Sequence, residues 1–265
     1  MERDGFARVF PETFPGGPVK ALASLTPEES KALIAKALWS LPEMKEAVRS
    51  GTVVIAADST SVHVVREFRE GQAPEDPGPL SDVDGLLGRY LPLGAGDSWV
   101  IREGSIQREY DLLKIINGFQ ARDVFIKGAN AIDPEGFAGT FVGTESEGAV
   151  QVAMGTVLAK GSHFLVPVGL ERAVFESVVG ISRRLGIRKI RHATGEPVGF
   201  LPLPGKVVTE IEALGLLANV AATHMGSGGA IGAEGTITLH LEGSEKEVLA
   251  ALELVNVLKE ASGSI

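Results

Sequence analysis

Three short runs of apolar, mostly β-branched residues set the frame of the chain: Thr52-Val-Val-Ile-Ala56, Val124-Phe-Ile126 and Phe164-Leu-Val-Pro-Val168. None alternates apolar with polar positions, so each predicts a strand buried on both faces, as the central strands of a parallel sheet are. Between them the period lengthens to that of helices. Thr26-Pro-Glu-Glu29 is a helix start, with Thr as cap, Pro in the first turn and Glu three positions on. Leu33, Ile34, Ala37 and Leu38 follow at helical spacing. Leu41-Pro42 interrupts that pattern, and a second short helix runs from Glu43 to Arg49 before Ser50-Gly51 ends it. Val62 to Glu70, Ser105 to Asn117, Glu147 to Leu158 and Glu171 to Gly180 predict further helices. Tyr90 to Leu93, Ser98 to Arg102 and Lys189 to Arg191 are short strand candidates.

The two ends of the chain have their own rhythm. Residues 1–25 carry Phe-Pro and Pro-Gly-Gly-Pro among scattered apolar positions, the composition of an arm lying on the body. Residues 71–85 are rich in proline, glycine and acids and read as a surface loop. From Lys206 onward the pattern is strand (to Thr209), helix (Glu210 to Ala218), strand (Val220 to Met225), strand (Thr236 to Leu241) and helix. That last helix opens with the capping box Ser244-Glu-Lys-Glu247 and shows Val248, Leu249, Leu252, Val255 and Leu258 as an apolar stripe. The order βαββα suits a small ferredoxin-like α+β subdomain. The expected organisation is an arm (1–25), an α/β ligand-binding domain (26–205) with a Rossmann-like parallel sheet flanked by helices, and the C-terminal subdomain (206–265).

Composition narrows the function classes. A chain of 265 residues with 44% hydrophobic residues has ample material for a core. Its formal charge of −9 lacks the basic surface that nucleic-acid binding rests on, so no nucleic-acid partner is expected. There is no cysteine, which excludes disulfides, thiolate catalysis and sulfur-held zinc. The five histidines, His63, His163, His192, His224 and His240, show no pair at helical spacing, so neither a metal nor a cofactor is expected. No run approaches the roughly 18 apolar residues of a membrane span, and Met1-Glu-Arg-Asp-Gly has no apolar signal core. A soluble cytoplasmic protein is the expectation.

Residues able to carry chemistry gather at the predicted strand ends, where loops over a parallel sheet leave backbone N–H groups unpaired. Asp58-Ser59-Thr60-Ser61 follows the first strand and starts a helix, a position that serves equally for capping and for holding a phosphate or carboxylate. Lys127-Gly128-Ala129-Asn130 follows the second strand. Its small residues admit a ligand to the backbone, Asn tolerates a left-handed turn and Lys adds positive charge. Asp123, Asp133, Glu135, Glu145 and Glu147 surround the same region, with Gly143-Thr144 between them. A carboxylate there acts as general acid or base if burial raises its pKa; for Glu145 and Glu147 the alternative is a capping role in the first turn of a helix. The glycine-rich stretch 226–235 lacks the spacing of a P-loop and reads as a hairpin or a subunit contact. There is no Gly-x-Ser-x-Gly elbow.

Taken in order, Thr52 to Ser61, Asp123 to Asp133, Gly143-Thr-Glu145 and the strand ending Pro167-Val-Gly169 resemble the superfamily of ribose-5-phosphate isomerase, glucosamine-phosphate deaminase, methylthioribose-phosphate isomerase and coenzyme A transferases. The likeness covers roughly residues 50–175. It implies that Ser59, Thr60 and Ser61 match a phosphate-binding turn and that Gly128, Ala129 and Asn130 match the Gly-Ala-Asp turn of the sugar-phosphate isomerases. The chain departs from that pattern twice, with Lys127 where the family has an acid before the glycine and Asn130 where it has another acid. Asp133 alone keeps a carboxylate in the motif, and Glu145 approximates the acid of the following helix. The expected function is binding of a small anionic metabolite such as a sugar phosphate, with isomerisation by proton transfer through Lys127, Glu145 and Asp133. The ligand contacts would come from Asp58, Ser59, Thr60, Ser61, Gly128, Ala129, Asn130, Gly143 and Thr144. The alternative is a non-catalytic sensor or regulatory subunit, with the C-terminal subdomain making the contacts of a homo-oligomer.

Overall fold

The computed structural model describes residues 18–70, 98–109, 111–143, 145 and 148–263. The predicted loop 71–85, the strand candidate Tyr90 to Leu93, Thr144 and Glu147 lie outside them. The architecture is mixed α/β: a six-stranded mixed sheet flanked by helices, with two three-stranded sheets beside it.

In chain order the elements begin with strand β1 (Val19–Leu25), then helices α1 (Pro27–Ser40) and α2 (Pro42–Ser50), strand β2 (Thr52–Ala56) and helix α3 (Ser59–Glu70). After the hairpin β3 (Ser98–Arg102) and β4 (Ser105–Glu109) come α4 (Leu112–Asn117), β5 (Val124–Ile126), β6 (Ala131–Ile132), β7 (Ala138–Val142), α5 (Ala149–Ala159) and β8 (His163–Pro167). A 3₁₀ turn (Leu170–Arg172), α6 (Val178–Arg184), β9 (Gly199–Leu203), β10 (Lys206–Val208), α7 (Glu210–Ala218), β11 (Ala221–Gly228), β12 (Thr236–Gly243) and α8 (Glu245–Ser262) complete it.

The main sheet runs β10-β8-β5-β2-β3-β4; the first four strands are parallel, β3 is antiparallel to β2, and β4, antiparallel to β3, returns to the direction of the first four. The three apolar runs are therefore neighbours, with Val53, Val54 and Ile55 paired to Val124, Phe125 and Ile126, and Ile126 in turn to Leu165. Strand pleating sends alternate residues to opposite faces. Val53, Ile55, Val124, Ile126 and Leu165 join a core with α1, α2, α3, α7 and α8, while Val54, Ala56, Phe125, Phe164 and Val166 join a second core with α4 and α5.

Caps read from the sequence are formed. Thr26 Oγ1 accepts from the Glu29 N–H and Glu29 Oε2 from the Thr26 N–H at 2.9 Å, and the same reciprocal pair joins Ser244 and Glu247. Glu29 is fully buried and also accepts from Ser262 Oγ at 3.1 Å, fastening the end of α8 to the start of α1.

Several segments differ from the pattern-based expectation. The arm ends in a strand: β1 pairs antiparallel with β12, Val19 opposite Gly243 and Leu25 opposite Ile237. Ser105 to Asn117 splits into β4 and a short α4, because the turn at Glu103-Gly104, both at positive φ, folds the chain back on β3. Glu171 to Gly180 holds a 3₁₀ turn and only the beginning of α6, and Lys189 to Arg191 forms no strand. The stretch expected as βαββα divides between two sheets. β10 joins β8 as the edge of the main sheet, and the hairpin β11-β12 takes β1 as its third strand. The sheet β6-β7-β9 has no counterpart in the sequence reading. Among the described residues no helix is long and apolar enough to cross a membrane.

Because Ile126 is fully buried between the two helical layers, Ile126→Ala leaves a cavity as well as losing buried area. It is expected to lower unfolding free energy by roughly 2–5 kcal/mol in urea titration, with little change in slope.

Candidate functional site

The C-terminal ends of β2 and β5 bring Asp58 and Lys127 together. Asp58 caps α3: its Oδ1 accepts from the Thr60 N–H at 3.0 Å and the Ser61 N–H at 2.9 Å. Its Oδ2 accepts from the Gly128 N–H and from Lys127 Nζ, each at 2.9 Å. A single carboxylate thus joins the first turn of one helix to the loop after the neighbouring strand. The amides and the cation expected for an external anion hold this internal one. Burial opposes the charged form of Asp58, but the Lys127 charge and hydrogen bond, together with the N–H groups of Ser61 and Gly128, outweigh it and hold the carboxyl below its usual range.

Gly128 is required by this arrangement. A Cβ there would lie 2.8 Å from Asp58 Oδ1 and 3.0 Å from its carboxyl carbon. Lys127 is partly open, its side chain 17% exposed, and its ammonium also reaches the Ala57 carbonyl at 3.4 Å. Of three ammonium protons, two therefore have acceptors among the described residues. Close by, Ser61 Oγ in the first turn of α3 and Ser98 Oγ, on the strand position opposite Ala56, are buried without a hydrogen-bond partner among the described residues.

The remaining residues singled out in the sequence fall elsewhere. Ala129 is buried in the second core. Asn130 Oδ1 accepts from Thr140 Oγ1 at 2.8 Å and from the Phe141 N–H at 2.9 Å, fixing the crossing from β5 to β7. Asp133 is buried, its two oxygens accepting from the Phe137 N–H at 2.8 Å and the Val178 N–H at 2.9 Å. It closes the β6-β7 turn and anchors the start of α6. Glu145 makes a bidentate ion pair with Arg188 at 2.8 and 2.9 Å, both side chains well exposed at 59% and 84%. Gly143 has open space where a Cβ would stand. Asp58, Ser59, Thr60, Ser61, Lys127 and Gly128 thus come together, while Asp133, Asn130 and Glu145 serve other places.

One buried acid went unnoticed in the sequence. Glu210, in the first turn of α7 just past β10, has no exposed surface and accepts from the Leu170 N–H at 3.0 Å. Burial pushes its pKa up, and the neighbouring Glu171 charge adds to that; backbone N–H groups offset only part, leaving it at about 7. In sequence it looks like any acid at a helix start, where dipole arguments place acids on the surface. Its position immediately after an edge strand of the main sheet was the only available signal.

Among the described residues no group of three or more His, Asp or Glu side chains is close enough to hold a metal ion. Compared with models of protein families, with curated proteins and with solved structures, the chain matches none.

Two outcomes follow from this geometry. Gly128→Ala forces Asp58 away from α3 and Lys127, and is expected to lower stability by about 1–3 kcal/mol, read by thermal unfolding. For Glu210, the unfolded carboxyl ionises near 4.5 while the folded one keeps its proton to about 7. The contribution of Glu210 to stability is therefore fully present below pH 4.5, falls as pH rises to 7 and stays at the lower value above, by about 3 kcal/mol in all. Glu210→Gln is expected to flatten that interval in unfolding curves measured from pH 4 to 8; an unchanged slope would show that Glu210 is ionised in the fold.

Proposed function

We propose that the chain binds a small anionic metabolite, a phosphorylated sugar being the class expected, over the C-terminal ends of β2 and β5, and that it does so as a binding protein without turnover. The reading treats the parallel strands as a Rossmann-like platform. What supports it is the Lys127 ammonium, whose side chain is partly open and which has acceptors for two of its three protons among the described residues, leaving one for an incoming oxygen. Phosphate oxygens are acceptors and suit such a donor.

The same geometry favours sensing over isomerisation. Moving a proton between adjacent carbons needs a base with a free oxygen near the substrate. Asp58 has both oxygens occupied and is held ionised by its partners, which makes it a weak base. Asp133 is bound to two backbone amides, Glu145 is paired with Arg188 on the surface, and Glu210 has no exposed surface. An isomerase in which Lys127 and Glu145 act together is the second reading, resting on the sequence resemblance.

The two readings separate in one pair of measurements on the full chain. Titration calorimetry with ribose 5-phosphate, glucosamine 6-phosphate and related sugar phosphates is expected to show binding of at least one. Lys127→Gln, which keeps a donor toward Asp58 and removes the charge, is expected to weaken that binding about tenfold, the loss of one hydrogen bond to a charged group. Proton NMR of the bound compound in deuterated water is expected to show no solvent exchange at carbon. Absence of binding across the panel would end the reading of a site over β2 and β5, and deuterium incorporation would restore the isomerase.

A further inference from the structure

We propose a second anion site, for a compound carrying a di- or polyphosphate group, at the end of the main sheet opposite Lys127. There Arg49, Arg102 and Arg122 line one depression of about 340 Å³. They come from three separate elements. Arg49 lies in the last turn of α2, Arg102 ends β3, and Arg122 stands in the turn that enters β5. The antiparallel register of β2 and β3 sets Arg102 opposite Thr52, the first residue of β2, so the sheet itself gathers them. From Arg122 to Lys127 is five residues of extended chain, roughly 16 Å, which makes this site physically separate from the one above.

The guanidiniums are positioned but not neutralised. Arg102 Nε donates to Thr52 Oγ1 at 3.2 Å and Arg122 Nε to the Ser50 carbonyl at 2.7 Å. With Nε tied, their terminal NH₂ groups have no acceptor among the described residues, and the side chain of Arg49 has none at all there. None of the three forms an ion pair among the described residues, in a chain whose formal charge is −9. Two carboxylates share the lining, Glu103 and Asp123. Asp123 is already committed: its oxygens accept from the Thr52 N–H at 2.7 Å and the Gln120 N–H at 2.6 Å. Gly51 makes the room, since a Cβ there would stand 2.7 Å from Asp123 Oδ1. The negative end of the α2 dipole accounts for a cation at Arg49, but Arg102 and Arg122 belong to other elements.

With Glu103 and Asp123 counted, the three arginines leave the lining a formal charge of +1, and a multivalent anion held by the three guanidiniums offsets their mutual repulsion. A planar guanidinium fork matches two oxygens of a phosphoryl group, so several forks suit a di- or polyphosphate better than a single carboxylate. The depression falls at the small end of the range for ligand pockets, roughly 300–1,000 Å³. That is room for the phosphates and little of the body that carries them.

The test is calorimetric titration of the full chain with inorganic pyrophosphate at low ionic strength. One-to-one binding that weakens with added salt is expected. Arg49→Gln, which removes no hydrogen bond of the fold, is expected to weaken it roughly tenfold, and Arg49→Gln with Arg102→Gln to abolish it at an unchanged melting temperature. Lys127→Ala is expected to leave pyrophosphate affinity as it is. No heat with the unmodified protein, or equal affinity in Arg49→Gln, overturns the proposal. So does loss of binding in Lys127→Ala alone, which assigns the anion to the Lys127 end of the sheet. A nucleoside diphosphate or a sugar bisphosphate that binds more tightly than pyrophosphate, and loses that affinity in Arg49→Gln, supports the site and identifies what the phosphates are attached to.

Discussion

Burial of β2, β5 and β8 on both faces is the constraint from which the rest of the molecule follows. A three-residue strand such as Val124–Ile126 has too few hydrogen bonds to persist alone, and its side chains are apolar on either side. It is stable only between two layers. One layer is assembled from α1, α2 and α3 early in the chain together with α7 and α8 late in it; the other is α4 and α5, from the middle. The order of elements along the chain is thus the order in which the two faces are covered. The strand ends, where cover stops, are where polar groups are admitted.

At those ends the acids do a common job. Asp58, Asp123 and Asp133 each accept backbone N–H groups from two different segments, and Asp58 a lysine as well. Where a chain leaves a sheet its amides lose their ladder partners, and a short carboxylate is the smallest group that satisfies two of them at once. Such an acid has its oxygens committed and is held in one orientation. It fixes loops and turns no free oxygen to a substrate, which is why a concentration of acids around a parallel sheet is not in itself a catalytic centre.

The hydrophobic pattern made the frame legible because two-sided burial leaves a direct trace, an unbroken apolar run. Capping boxes at Thr26 and Ser244 were legible for the same reason: the residues that satisfy each other are three positions apart. What sequence did not reveal depends on partners far along the chain. Strands β7 and β9 are marked by Gly139 and Pro202, residues that weaken a strand pattern, and they form because they face each other across the β6-β7-β9 sheet. The pairing of β1 with β12 joins residues more than two hundred positions apart, which no local period records. At the site, the parallel pairing of β2 and β5 sets Lys127 beside the Asp58 turn. That Asp58 itself would take the donors was hidden, since the sequence of a cap and that of an anion cradle are the same.

The β1–β12 ladder has a consequence for the way the chain is made. Seven residues of β1 pair with seven of β12, and β1 buries Ala23 and Leu25 through that sheet. During synthesis β1 leaves the ribosome long before its partner exists, and α1, which α8 and α7 later cover, emerges in the same state. Until β12 has been translated, the β1 segment, with the apolar Ala23 and Leu25, lacks the strand it pairs with. Exposed edges of that kind are where nascent chains associate wrongly. β12 therefore acts as a closing piece for β1, and chain-holding factors would have their greatest effect on yield in the interval between the two.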